Sequence, residues 1–201
     1  MSVPAAMLLL ASASPRRREL LAQIGVMHEV LAVDVDESAR PGESPEQLVR
    51  RLARDKAVTG RDRDGGARPV LGADTVVVLG QQVFGKPRDE AHALQMLQAL
   101  SGRSHRVLTA VALALPGAGA AVLEQCSDTE VQMRAIPLEE IRAYWASGEP
   151  AGKAGAYAIQ GRGAAFIAHI RGSYSGVMGL PLYETAQLLQ SQGMYQVHVS
   201  R

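Results

Sequence analysis

The sequence predicts an α/β fold on a mixed sheet. Short apolar runs of strand length alternate along the chain with stretches of helical periodicity. One pair of runs is joined by Gly80-Gln81, a hairpin pattern that makes its two arms antiparallel neighbours. At 201 residues, the chain is long enough to bury a substantial core, as one domain or as two lobes sharing a cleft.

Taken in order, Met7 to Ala13 reads as a buried strand ended by small residues. Ser14-Pro15 then opens a helix, with Ser as N-cap and Pro at the first helical position. Leu20, Leu21 and Ile24 give it an apolar face, and Gly25 ends it. Val30 to Val35 is predicted as a second strand leading into an acidic turn at Asp34, Asp36 and Glu37. Ser44-Pro45-Glu46-Gln47 is a capping box for a helix running through about Val58. A polar loop, Asp62 to Pro69, precedes the valine-rich strand Val70 to Leu79 and its return arm Gln82 to Gly85. Asp89 to Leu100 is a helix stopped by Gly102. Two long strands, Val107 to Leu115 and Ala121 to Met133, flank a Pro-Gly-Ala-Gly turn. A helix from Pro137 to Ser147, an irregular Gly-rich stretch from Gly148 to Gly163, a strand from Ala164 to Ile170 and a helix from Leu182 to Ser191 complete the chain.

Composition narrows the function. The formal net charge is +1, so the molecule as a whole is not built to coat DNA or an anionic membrane. No apolar stretch approaches the ~20 residues of a membrane span, and Met7 to Ala11 is too short for a signal-peptide core. One cysteine, Cys126, forbids an internal disulfide and suits a reducing cytosol; the expectation is a cytoplasmic protein. The five histidines, His28, His92, His105, His169 and His198, show no zinc-like spacing.

Four features depart from local rules. Arg16, Arg17 and Arg18 occupy a first helical turn, where cations each cost roughly 0.3–1 kcal/mol. Such a run is either a solvated basic face or a site where an anion meets free N–H groups and arginine forks, with Ser12 and Ser14 as hydroxyl donors. Asp74 interrupts a valine-rich strand, where an acid is disfavoured and costly to bury unpaired. It is either a strand-edge cap or a working carboxylate. With Leu79 opposite Gln82, the hairpin register places Lys86 opposite Thr75, beside Asp74. Lys56 continues the Leu48/Leu52 row of an apolar helix face, and either snorkels or points into a cleft. Gln160, in Tyr157-Ala158-Ile159-Gln160-Gly161, has the donor and acceptor needed to match a base edge, or to satisfy buried backbone. Gly148 to Ala154 has a superficial phosphate-loop look, but is one residue short and has Ala in place of the metal-binding hydroxyl.

Together, Ala11 to Arg17, Gly72 to Val77, Gly85-Lys86-Pro87, Lys153 to Gly161, Gly172-Ser173-Tyr174 and Gly179-Leu180-Pro181 resemble the Maf family, septum-formation-inhibitor-like nucleotide pyrophosphatases. The pieces occur in family order across nearly the whole chain. The resemblance implies a Maf/Ham1-like α/β fold: an elongated mixed β-sheet flanked by helices, with two lobes around a central cleft. It further implies one domain over residues 1–201, a homodimer, and cleavage of a nucleoside triphosphate between its α- and β-phosphates with a divalent cation, Mg²⁺ or Mn²⁺. Asp74 matches the family's proton acceptor. Arg16, Thr75 and Gln160 match positions tied to substrate choice, and Lys56, Lys86 and Glu37 match other cleft positions. The stretch from Lys153 to Gly161 is similar to the branch acting on dTTP and UTP, not the 7-methyl-GTP branch.

On this reading Asp74 activates water or holds a metal ion, with Glu37 as a second ligand. Arg16, Arg17, Lys56 and Lys86 face the phosphates, while Gln160 and Thr75 read the base. The same residues would serve a pyrophosphatase for purine or modified nucleotides, or a non-catalytic nucleotide- or nucleic-acid-binding regulator of septation. A nucleic-acid binder should show a broad basic face with exposed aromatics; here aromatics are few and positive charge is confined to particular motifs.

Overall fold

The structure, a computed structural model, describes residues 7–196; the Ser2–Ala6 extension and His198 lie outside them. Seven strands form one mixed sheet. They are β1 (Leu8–Leu10), β2 (His28–Val30), β3 (Val70–Leu79), β4 (Gln82–Phe84), β5 (Ser104–Ala114), β6 (Val122–Met133) and β7 (Ile167–Arg171). The helices are α1 (Pro15–Gln23), α2 (Pro45–Arg63), α3 (Glu90–Leu100), α4 (Leu138–Ala146), α5 (Tyr174–Met178) and α6 (Leu182–Ser191). The sheet runs β2-β1-β3-β5-β6-β7. β1 pairs parallel with β2 and β3, and every other pairing is antiparallel.

β3 organises the site. β5 pairs along one of its edges from Val70 to Val78. The other edge is shared: β1 pairs only with Val70 and Leu71, and β4 only with Val77, Val78 and Leu79. Between these short partners, residues 72–76 have no strand beside them, and Asp74 and Thr75 sit in that notch.

Alternation along β3 assigns the faces. Val70, Val76 and Val78 join the buried cluster under α2, together with Val49, Leu52, Ala53, Leu108 and Ala110. Leu71 and Ala73 join the opposite cluster, with Leu20, Leu21 and Leu189 of α1 and α6. Farther along that opposite face, Val77 enters a third cluster, with Leu97 of α3 and Ile141 of α4. Gly72 and Asp74 therefore share the α2 face. A Cβ on Gly72 would collide with Ala53 O and lie 2.6 Å from Ala57 N, so the missing side chain lets α2 lie directly on the strand. That contact lowers Lys56, one turn after Leu52, onto Asp74.

Several sequence expectations change. The capping box of α2 forms in full, but the helix runs to Arg63, beyond Val58. Gly60 lies inside it at a close approach to β3, where a Cβ would lie 2.8 Å from Val70 Cγ1. The second strand is His28–Val30, not Val30 to Val35. After Leu31 N donates to Leu10 O, the chain leaves the sheet, and the alternating Leu31, Val33 and Val35 pack on the α2 cluster without a strand partner. β7 starts at Ile167 because Arg162–Phe166 forms a 3₁₀ turn. The short helix α5, capped by Ser173, had no periodic signal to reveal it.

Candidate active site

A cleft of about 810 Å³ opens on the β3 notch. All ten residues expected at the site line it: Ser12, Ser14, Arg16, Arg17, Glu37, Lys56, Asp74, Thr75, Lys86 and Gln160. Asp74 and Thr75 point to opposite faces of β3, yet both reach the cleft because the strand edge between them is open.

On the α2 face, Asp74 and Lys56 are both buried, at 8% exposure each. Lys56 Nζ donates to Asp74 Oδ1 and to Glu37 Oε1, each at 2.7 Å. A buried carboxylate needs such a partner, so Lys56 does not snorkel. Burial alone would raise the Glu37 carboxyl, but the Lys56 ammonium outweighs it and holds Glu37 below the usual range, with smaller help from Lys86 and Arg17. Asp74 Oδ2 has no partner among the described residues and is not sealed from solvent.

On the other face the two arginines divide. Arg17 Nε donates to Gly179 O at 2.7 Å, Nη1 to Ser12 Oγ at 3.1 Å, and Nη2 to Thr75 Oγ1 at 3.3 Å. Burial lowers this guanidinium from its ordinary value while the Asp74 charge works against the shift. Arg16 has no hydrogen-bond partner among the described residues, although its Nε is buried. Arg17 braces the wall and Arg16 is free for a ligand. Lys153, not singled out in the sequence, lines the same end of the cleft, and burial followed by the Arg16 charge lowers its ammonium.

The hydroxyls are already ordered. Ser12 Oγ accepts from Ser14 N at 3.2 Å and from Arg17, so its own proton remains to donate. Ser14 stands at the N-cap of α1, but its side chain makes no cap bond, contrary to expectation. Thr109 Oγ1 donates to Gly176 O at 2.7 Å and lies 3.0 Å from Thr75 Oγ1. Thr109 has one proton, so Thr75 supplies the one between the hydroxyls and accepts from Arg17. Thr75 is thereby tied to the scaffold.

Lys86 reaches the cleft by a route other than register. Hairpin pairing stops at Val77 opposite Phe84, and Thr75 pairs with Thr109 instead. The chain then turns away, with Gly85 O accepting from Gly155 N. Gln160 is exposed on the opposite wall. That wall follows a left-handed turn at Gly155 (φ 68°) and Ala156 (φ 60°); for alanine this conformation is strained.

A family model described as Maf-like protein matches residues 7–192. The chain belongs to the Maf family. A dTTP/UTP pyrophosphatase of Methylococcus capsulatus is 55% identical over 187 residues, covering 93% of this chain and 91% of that protein. A dTTP/UTP pyrophosphatase of Xanthomonas campestris is 54% identical over 192 residues, covering 94% and 100%. Among solved structures, a Ham1 protein from Coxiella burnetii matches with TM-score 0.43 and 19% identity over 65% of this chain and 74% of that one.

Cys126 and His105 of this Maf chain do not line the cleft. Burial pushes the Cys126 thiol up to about 11, the reverse of an activated thiolate. Among the described residues no helix is long and apolar enough to cross a membrane. His105 is 3% exposed, with Nε2 2.8 Å from the Tyr157 hydroxyl behind the cleft wall, and burial lowers it from 6.5 to about 4. Between these values the unfolded chain binds a proton that the native imidazole does not. The stability in question is present above pH 6.5 and is lost as pH falls toward 4, by about 3 kcal/mol at most. Chemical denaturation at pH 7 and pH 5 should show a steeper loss for the wild type than for His105→Gln, by about 2 kcal/mol; equal losses would refute this assignment.

Proposed function

We infer that this Maf protein is a nucleoside triphosphate pyrophosphatase acting on dTTP and UTP, releasing the monophosphate and pyrophosphate. The single observation that carries the chemistry is Asp74, buried against Lys56 in the unpaired notch of β3 with one oxygen open to a cation-lined cleft. The substrate class is supported by the dTTP/UTP pyrophosphatases that match at 54–55% identity over nearly the full chain. We read residues 1–201 as one Maf-like domain whose two lobes share the cleft, acting in the cytoplasm as a homodimer.

Hydrolysis requires water to attack the α-phosphorus while the bond to the α–β bridging oxygen breaks and pyrophosphate departs with its charge. Asp74 Oδ2 either accepts the proton of that water or anchors a divalent ion. Arg16 and Lys86 bind phosphate oxygens through groups that have no partner among the described residues, and Lys153 through the ammonium protons left after Nζ donates to Ala151 O at 3.2 Å. Arg17 and Thr75 hold the wall in place, and Ser12 donates its remaining proton toward the phosphates. Gln160 pairs with the pyrimidine edge.

Mg²⁺ or Mn²⁺ fits the donors present. Glu37 and Asp74 supply hard carboxylate oxygens on either side of Lys56 Nζ, and among the described residues no group of three or more His, Cys, Asp or Glu could form an all-protein cage. Two carboxylates suit an ion that completes its shell with water and substrate phosphates. When bound, such an ion supplies Lewis acidity and neutralises charge on the phosphate oxygens.

The test is pyrophosphate release across ordinary and modified nucleoside triphosphates, with Mg²⁺ and with Mn²⁺. dTTP and UTP should be the best ordinary substrates. Release confined to purines would overturn the pyrimidine assignment, and no release from any nucleotide would favour a binding regulator.

A further inference from the structure

The segment that presents Gln160 is fastened from behind by an acid and a phenol. Glu149 Oε1 accepts from Tyr144 Oη at 2.7 Å and from Gly163 N at 3.0 Å, while Oε2 accepts from Arg162 N at 2.8 Å. Tyr144 Oη in turn accepts from Ala158 N at 3.1 Å. These bonds tie both flanks of Gln160, residue 158 before it and residues 162 and 163 after it, to α4 and its exit turn. Tyr144 is itself fixed, 4% exposed and edge-on to Phe166 with centroids 5.1 Å apart.

The glycines of the segment are explained by the same contacts. A Cβ on Gly161 would collide with the Glu149 carboxylate, and one on Gly163 would lie 2.6 Å from Tyr144 Oη. Gln160 has no hydrogen-bond partner of its own among the described residues. Its place on the cleft wall therefore depends on how the backbone at either side is held.

We propose that Glu149 and Tyr144 form a positioning clamp that sets the base selectivity of the cleft by fixing the Gln160 segment. The proposal rests on the reading of Gln160 as the residue that meets the pyrimidine edge. Burial alone would raise the Glu149 carboxyl, but the bonds from Gly163 N, Tyr144 Oη and Arg162 N outweigh it and keep the group below the usual range. Both oxygens are thus available as acceptors. In Glu149→Gln an amide NH₂ would face a hydrogen-bond donor, so the clamp cannot close at both ends.

The experiment compares kcat and KM for UTP and CTP in Glu149→Gln, Tyr144→Phe, Gln160→Ala and the wild type, with thermal melts on each. CTP differs from UTP only at the edge that Gln160 would read. Gln160→Ala and Glu149→Gln should each reduce the UTP/CTP ratio of kcat/KM about tenfold or more, with the loss falling chiefly on KM for UTP. Tyr144→Phe, which deletes one hydroxyl, should reduce it less, and it decides the matter if Glu149→Gln does not fold. If Gln160→Ala lowers the ratio while the clamp variants preserve it, or weaken both nucleotides equally, the clamp is only structural and the proposal fails. If Gln160→Ala keeps the wild-type ratio, the base-reading assignment fails and the clamp's role fails with it.

Discussion

Asp74→Asn should fold, bind nucleotide, and release pyrophosphate about a thousandfold more slowly than the wild type, the scale of losing a positioned base. Removing one partner of a buried ion pair is ordinarily severe, roughly 3–5 kcal/mol, because a charge is left stranded. Lys56 escapes that fate because Glu37 Oε1 holds it at the same 2.7 Å as Asp74 does. The asparagine oxygen can still accept from the ammonium. The fold therefore survives while the Asp74 carboxylate is gone. Single-turnover pyrophosphate release checks the rate, and a melt checks the fold; turnover within tenfold of the wild type would remove Asp74 from the chemistry. Direct Mn²⁺ titration followed by electron paramagnetic resonance separates its two possible roles. Lost binding marks an ion-holding carboxylate, and retained binding marks a proton acceptor.

Much of this site was legible because its residues violate local preferences. An acid in a valine-rich strand, arginines in a first helical turn and a lysine on an apolar helix row each pointed to the cleft, and all three line it. The geometry joining them was not legible. The hairpin turn gave the pairing of Leu79 with Gln82 correctly, but sequence carries no signal for where β4 stops. Nor does it reveal that β1 and β4 share one edge of β3. That shared edge, more than the hairpin register, is what exposes Asp74 and Thr75 from opposite faces. Gly72 belongs to a motif legible in the sequence, but its steric role depends on α2 crossing there, a long-range fact. Glu149 lay in a Gly-rich stretch with no periodicity, and Thr109 in an apolar run where threonine is an ordinary strand residue. Neither could be found without the contacts.

The sequence places Arg16 and Arg17 alike on the phosphates, and they should separate in experiment more sharply than any other neighbouring pair in the cleft. Arg17 spends its fork on a carbonyl and two hydroxyls. Arg17→Met would leave Gly179 O without its donor and release Ser12 and Thr75 from their shared anchor. Hydrogen bonds to a charged donor are worth about 1.5–3 kcal/mol, and an orphaned buried acceptor adds a similar cost. A loss of about 2–4 kcal/mol in unfolding free energy is expected on that scale, with activity falling as the wall loosens. Arg17→Lys should not rescue it, because a single ammonium cannot reproduce a three-way fork. Arg16→Met removes a buried nitrogen that has no partner among the described residues, so stability should hold or rise slightly. Its cost appears when the triphosphate arrives: kcat/KM should fall about 10²–10³-fold, as when one preorganised donor to developing charge is deleted. Urea unfolding and steady-state kinetics on the same three variants supply both readouts. Equal destabilisation by Arg16→Met and Arg17→Met, or a normal kcat/KM for Arg16→Met, would show that the division into brace and ligand is wrong. If the division holds, the basic helix start has a physical explanation. One arginine pins β3 and α5 together at the cleft wall, and the other tolerates an unfavourable helix position because its partner is the substrate.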